Sequence, residues 1–400
     1  MVHRLNNELI SANVSQNLLF IILLILFVSC KNDNAKVANS SGELDLIQVD
    51  YVEPGIKWGF IDVKGEIKIA ESIDDCRDFS DGLAAASKGG LWGFIDAEGE
   101  WKIKPLFRGA WSFKEGKARV KYLDGKYGYI NNKGNQVIQA VYEDADDFQE
   151  GYAIVKQNGR CQFINDDGKL LSEDSWEQAF PFKNGYARIS NGGWWGILNK
   201  AGIILINPLY ESIGEVNINR VAFETKGHWG FTDTMGNIII PPKYEQATPF
   251  QNNIAVVKNG KEWQWLDTVG LVLNKHPVSF VFDLGLDRWA AVKNDSAFAM
   301  MDHKGNPLTS FQYTQINKFK DGLAVFGKDG YFGYMDTTGH HTISNIFLLA
   351  WDFNNGYARY SLGKGIGFIN LQGKALHDVF FPDVRDYHDG FAKAQTVTRQ

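Results

Sequence analysis

The chain has 400 residues, 44% of them apolar and 14% aromatic, so it has the means to bury a large core and is not a disordered polypeptide. Its formal charge of -6 comes from 47 acidic and 41 basic residues mixed throughout. With no basic stripe to neutralise phosphates, nucleic acid is not an expected partner.

The first element in chain order is an apolar run, Leu18 to Val28, followed by Ser29 and Cys30. Eleven residues fall short of the roughly 20 needed to span a bilayer, which points to a cleaved signal. Leu26-Phe27-Val28-Ser29-Cys30 resembles a bacterial lipoprotein signal, in which a small residue precedes the cysteine that takes the lipid. The resemblance implies a signal peptide over 1–29, lipidation at Cys30 and a flexible, Asn/Ser/Ala/Lys-rich tether to residue 42. A plain secretory signal and an interfacial anchor are the alternatives. Lys31-Asn32-Asp33-Asn34 loosely resembles the export signals of surface lipoproteins in the Bacteroidetes group. The expected location is therefore the outer membrane, lipid-anchored and exposed at the cell surface, with a periplasm-facing or secreted protein as the alternatives.

From residue 43 to 400 the chain is an internal repeat of 34 or 35 residues, occurring ten times. Its anchor position holds Trp58, Trp92, Tyr127, Cys161, Trp195, Trp229, Trp263, Phe298, Phe332 and Ile366 in turn. Trp58-Gly59-Phe60-Ile61-Asp62 shows the pattern: aromatic residues alternate with Gly and Ile, the period of a strand with two apolar faces. The Gly admits close approach of neighbouring backbone. Gln162, Gln264 and Ala299 replace it, so those three units are expected to be distorted or more open.

An Asx residue followed three positions later by Gly closes each anchor strand, from Asp62 with Gly65 to Asn370 with Gly373. This is the signature of a hairpin turn in which the Asx side chain accepts backbone N–H groups and Gly takes the left-handed position. A second strand such as Ile238-Ile239-Ile240 follows, then a Pro-x-aromatic-acidic segment such as Pro242-Lys243-Tyr244-Glu245, whose Pro is expected to end the strand. A third strand with the pattern Phe-x-x-Gly-x-Ala-x-Val closes the unit, as in Phe148, Gly151, Ala153 and Val155. Three strands cannot bury two apolar faces alone, so neighbouring units must stack.

On these motifs the chain resembles the WG-containing, or KWG, repeat family over essentially its whole mature length. The resemblance implies a β-rich repeat region used as a binding or scaffold module, with no catalytic residues to carry over. The expected fold is all-β: about ten three-stranded antiparallel meanders in an elongated or curved array, with one or two closed propeller-like rings as the alternative. The lone final strand, Gly390 to Val397, would complete the first unit in a ring and cap an edge in an open array.

Few residues invite a chemical reading. Cys76 and Cys161 fall at a small apolar position and at an anchor, and read as buried thiols and not as a disulfide. His340-His341 reads as a solvated hairpin end, and Asp74-Asp75 and Asp146-Asp147 as solvated turns, not as a metal pair or glycosidase carboxylates. The Asx turns lack the extra carboxylates calcium needs. No metal and no cofactor is expected. Tyr152, Tyr186, Trp289, Tyr357 and Phe391, between the Gly and Ala of the third strand, form a candidate binding row if that face is free. If adjacent units cover it, the row is core. The function expected is a non-enzymatic envelope protein binding protein or glycan; a polysaccharide-active hydrolase and a structural spacer are the alternatives.

Overall fold

Ten small antiparallel sheets follow one another along the chain, and the last of them is completed by the first residues of the array. The structure is a computed structural model and describes residues 57–69, 73–274, 278–292 and 297–396. The signal, Cys30, the tether and the start of the array therefore lie outside the described residues, as does the side chain of Trp58. Phe391–Thr396 pairs antiparallel with Lys57–Asp62, from Phe391 opposite Asp62 to Thr396 opposite Lys57. That pairing joins the two ends into one sheet, with Val384–His388 and Ile67–Ile69 at its edges. The array is thus a closed ring, the alternative architecture and not the open one.

A regular blade has four strands where the sequence pattern predicts three. In the Trp92 blade they are Asp75–Cys76, Ala84–Lys88, Leu91–Ile95 and Trp101–Phe107, in that order across the sheet. The structural unit starts later than the anchor-first reading, because the segment Phe-x-x-Gly-x-Ala belongs to the blade of the next anchor. Its Gly also lies outside the strand. Ser80-Asp81-Gly82-Leu83 is a two-residue hairpin with positive φ at Asp81 and Gly82, the arrangement whose twist suits two antiparallel strands.

The ten Asx turns form as expected. Asp62 Oδ1 accepts the N–H groups of Lys64 and Glu66 at 2.9 and 3.0 Å, and Asn370 Oδ1 those of Gln372 and Lys374 at 3.1 and 3.0 Å. Each turn's Gly has a second task. The isoleucine of the preceding blade sits beneath it, and a Cβ on Gly134 would stand 3.2 Å from Ile103 Cγ1.

Alternation along the anchor strand translates into packing between blades. Phe94 joins Phe113 and Val120 of the next blade, whereas Ile95 joins Phe60 and Phe79 on the other side. Hydrophobic clusters of this kind occupy the successive blade interfaces, including the two that flank the closing blade. One aromatic contact recurs around the ring: Phe60–Phe79, Phe94–Phe113, Tyr129–Phe148, Phe231–Phe250 and Tyr334–Phe353 have ring centroids 4.8 to 5.0 Å apart. Each fully buried aromatic contributes roughly 1.5–3 kcal/mol. The anchors themselves are less deep: Trp92, Tyr127, Trp195, Trp229 and Phe332 are half-buried, and Trp263 alone of the aromatic anchors is buried.

The glycine after the anchor explains the fourth strand. Trp229 pairs with Tyr244 and Phe231 with Ile240, so the strand Ile238–Tyr244 bulges outward between these contacts over Gly230. A Cβ on Gly230 would lie 2.6 Å from the carbonyl oxygen of Ile240. Pro241 and Pro242 occupy the bulge, where no ladder hydrogen bond is lost, so the proline sits inside the strand and does not end it. In the blades with Gln162, Gln264 and Ala299 the fourth segment is reduced to isolated bridges, as the missing glycine predicts. The Ile366 blade shares this state although it keeps Gly367, because the rings of Tyr360 and Phe380 fill the space beside that glycine.

Those four blades also replace the seating isoleucine by Ser172, Asn274, Thr309 and His377. Two of these polar side chains take over strand hydrogen bonds. Asn274 Oδ1 accepts the Trp265 N–H at 2.9 Å, and Thr309 Oγ1 the Met300 N–H at 3.0 Å. His377 is different: its Nδ1 accepts the Val379 N–H at 3.3 Å, while Nε2 is buried without a hydrogen-bond partner against Gly65 of the closing blade. Burial holds its pKa below the ordinary value, against the opposing pull of Asp62 and Asp378. A histidine whose folded pKa is depressed contributes stability that is complete above its unfolded pKa of about 6.5 and is lost as pH falls through the folded value. His341, buried against Phe326, is shifted the same way. The melting temperature is therefore expected to be level from about pH 8 to 7 and to decline below about 6.5. His377→Ile, which restores the usual residue of the register, should reduce that decline in a calorimetric pH series.

Candidate binding surface

The first strands of successive blades approach closely enough for equivalent positions to bond, which places them on the inner circumference. Ser112 Oγ donates to the Asp78 carbonyl, and Asn317 Nδ2 to Asp352 Oδ1 at 2.8 Å. At this register six blades carry a carboxylate, and in each the donor comes from the preceding blade. The pairs are Arg119 with Asp147 (3.0 Å), Lys183 with Glu215 (2.7 Å), Gln251 with Asp283 (2.9 Å), Asn317 with Asp352, Arg359 with Asp386 (2.6 Å) and His388 with Asp78 (3.5 Å). Asp146-Asp147, expected as a solvated turn, is thus part of the tie between blades. Asp74 and Asp75 are likewise engaged, Asp74 with the Gly89 N–H at 2.6 Å and Asp75 with Lys393 at 2.9 Å.

The acidic residue of the Pro-x-aromatic-acidic motif has a defined role. Glu211 accepts the N–H groups of Lys226 and Gly227, both at 3.0 Å, and Glu143 those of Asn158 and Gly159. It caps the left-handed turn between the second and third strands. A parallel set links the first turns around the ring: Glu115 accepts the N–H groups of Glu150 and Gly151, Glu150 those of Asn184 and Gly185, and Asp389 that of Gly82 across the closure. These acceptors lie 34 or 35 residues from the turns they cap, or across the closure, so no local sequence signal reveals them.

The candidate binding row is covered. Tyr152 packs on Phe182 at 4.9 Å, Tyr357 on Tyr387 at 5.2 Å and Phe391 on Phe79 at 4.9 Å, each on the following blade, while Trp289 is buried. Tyr186 is half-buried and lines a cleft of about 280 Å³ with Phe180, Lys183, Arg188 and Glu215. There the Arg188 guanidinium lies 3.9 Å from the Phe180 ring, and burial lowers its pKa. Cys76 and Cys161 are both free thiols; Cys76 is buried, its pKa pushed up to about 12 by burial, whereas Cys161 is only half-buried. His340 is exposed, and His341 turns away to stack on Phe326 and to bond Tyr313 Oη at 2.9 Å. Among the described residues no three His, Cys, Asp or Glu side chains converge as a metal would need.

A closed ring of ten antiparallel blades with two broad turn faces is a β-propeller-like repeat protein, of the class that works as a binding or scaffold body. The sequence profile described as WG containing repeat matches residues 58–92, 92–127, 127–161, 163–193, 229–263 and 299–332, and the chain belongs to that family. No curated protein matches the sequence significantly. Among solved structures, the chain is similar to BamB from Moraxella catarrhalis, at 11% identity over 82% of this chain and 98% of that one, with a TM-score of 0.34. It is also similar to the computationally designed Ika8 protein, at 14% identity over 62% and 94%, with a TM-score of 0.35. A third likeness is to PorZ, a surface component of the type-IX secretion system of Porphyromonas gingivalis, at 10% identity over 80% and 52%, with a TM-score of 0.26.

Proposed function

We propose that the ring is the binding or scaffold body of a non-enzymatic, lipid-anchored envelope protein, held in the outer membrane by acylated Cys30, exposed at the cell surface and engaging a protein or glycan. One observation carries the non-enzymatic part: the groups with the most shifted ionisation all have structural partners. Tyr129, Tyr334 and Tyr387, driven upward by burial, donate to the carbonyls of Asp146, Trp351 and Asp62 on the following blade. Asp233, held below the usual carboxylate range by the Asn237 amide and turn N–H groups, is an Asx cap. Perturbed groups at a catalytic centre would instead be left free to meet a substrate.

The anchor reading rests on the Ser29-Cys30 motif and the tether after it. Cys30→Ser is expected to abolish acyl labelling and move the protein out of the membrane fraction; unchanged membrane association would overturn it. Protease applied to intact cells should remove the ring, whereas survival of the ring would assign the periplasm-facing location. A pull-down with the mature protein against envelope proteins and glycans addresses the ligand, and turnover of a retained polysaccharide would favour the hydrolase reading.

A further inference from the structure

The face that carries the first turns and the Asx turns is divided by charge. In most blades its exposed tips are ionic, as at Lys64, Glu66, Asp81, Glu98, Glu100, Glu115, Lys133, Lys304 and Lys374. Over adjoining blades between residues 203 and 286 the same positions hold Ile203, Ile218, Met235, Val269, Leu271 and Leu286, with exposures from 41% to 75%. These tips adjoin one another. Asn219 bonds Thr234 within a blade, Arg220 Nε reaches the Thr268 carbonyl of the next at 3.2 Å, and Asn252 bonds Asp287 beyond that.

Two of the six residues sit where the backbone resists them. Ile218 and Leu286 occupy the first turn position, with φ of 45° and 49°, where the other blades place Asp, Glu or Asn. A β-branched residue in the left-handed region is a genuine outlier, and a polar residue there would be easier to hold. Solvent exposure gives no compensation for that strain; burial against another surface would.

We infer that this apolar sector is a self-association surface through which two copies of the ring meet face to face about a two-fold axis. The exposed apolar area of these six side chains and their neighbours Ile238 and Val272 is on the order of 800 Å², the share per partner of a standard-size interface and above what a monomer usually exposes in one patch. Depletion of charge at the centre is the compositional mark of such an interface. The few charges in the sector are of both signs, Arg220 and Arg288 with Asp287, so a second copy offers opposite charge and no net repulsion. Neither end of the ring obstructs the face. Lys57 begins a strand that runs toward an Asx turn and Thr396 ends one that runs away from a first turn, so both lie on the opposite side.

The inference stands independently of the ligand proposed above. It is tested by sedimentation of the chain from Lys31 onward, which holds the whole ring without the lipid, between roughly 1 and 100 µM. A dimer mass is expected for the native sequence, and a dissociation constant raised at least about tenfold by Met235→Lys with Val269→Lys. The pair Ile218→Asn and Leu286→Asn should weaken the dimer while leaving the melting temperature unchanged or higher, since Asn suits the turn; this excludes misfolding as the cause. A native chain that stays monomeric throughout, whether or not it sediments with phospholipid vesicles instead, would overturn the inference. So would a dimer that both pairs of substitutions leave intact.

Discussion

Ala392→Asp is expected to destabilise the ring by about 3–5 kcal/mol, because it buries an unpaired carboxylate in the closing blade. Ala392 is fully buried opposite Ile61, and its neighbours include Val384, Tyr387 and Phe368 of the seam. For a ring of this size a loss of about 4 kcal/mol lowers the melting temperature by roughly 6 °C. Ala255 holds the same register inside the array and is equally buried, so Ala255→Asp should cost a similar amount. Equality of the two is the informative result. In an open array the final strand would be an exposed edge, and Ala392→Asp would then shift the melting temperature by less than about 1 °C while Ala255→Asp remained severe.

The features the sequence displays best are those whose cause is local. An Asx side chain and the glycine three residues later lie within one turn, and all ten turns formed. Alternation of Phe94 with Ile95 likewise announces two apolar faces, and each is covered by a neighbouring blade. Phase is a different matter, since a period of 34 residues is the same wherever counting begins. Nothing local says that Phe79 belongs with Trp92 and not with Trp58. Closure depends on Thr396 meeting Lys57 across the length of the chain, and both an open and a closed array satisfy the same repeat. The Glu-Gly and Asn-Gly dipeptides at 150–151 and 184–185 did carry a hairpin signal, but they were absorbed into the strand pattern around them. For the candidate row the missing information was the neighbour: Tyr152 alternates correctly, but Phe182 lies on its exposed-looking side. The polar substitutions at Asn274 and Thr309 show their meaning only once the lost fourth strand is seen, because each replaces a hydrogen bond that strand would have made.

Phe231→Ala is expected to cost about 3–5 kcal/mol, the usual range for deleting a fully buried phenylalanine. The ring of Phe231 meets that of Phe250 on the next blade at 4.8 Å and packs among Ile240, Tyr244 and Leu266. Its removal opens a cavity between two blades that the ring cannot close, since each blade is also fixed by the one behind it. The Trp195 anchor gives the useful contrast. It is half-buried, resting on Phe180 at 5.5 Å and opposite Tyr210, so Trp195→Ala should cost about half as much, roughly 2 kcal/mol, despite the larger side chain. Chemical denaturation of both variants decides the order. If Trp195→Ala is the more damaging, the most regular letter of the repeat is also its energetic centre. If Phe231→Ala is, as the geometry requires, the Trp marks the repeat while the aromatic residue two positions on holds neighbouring blades together.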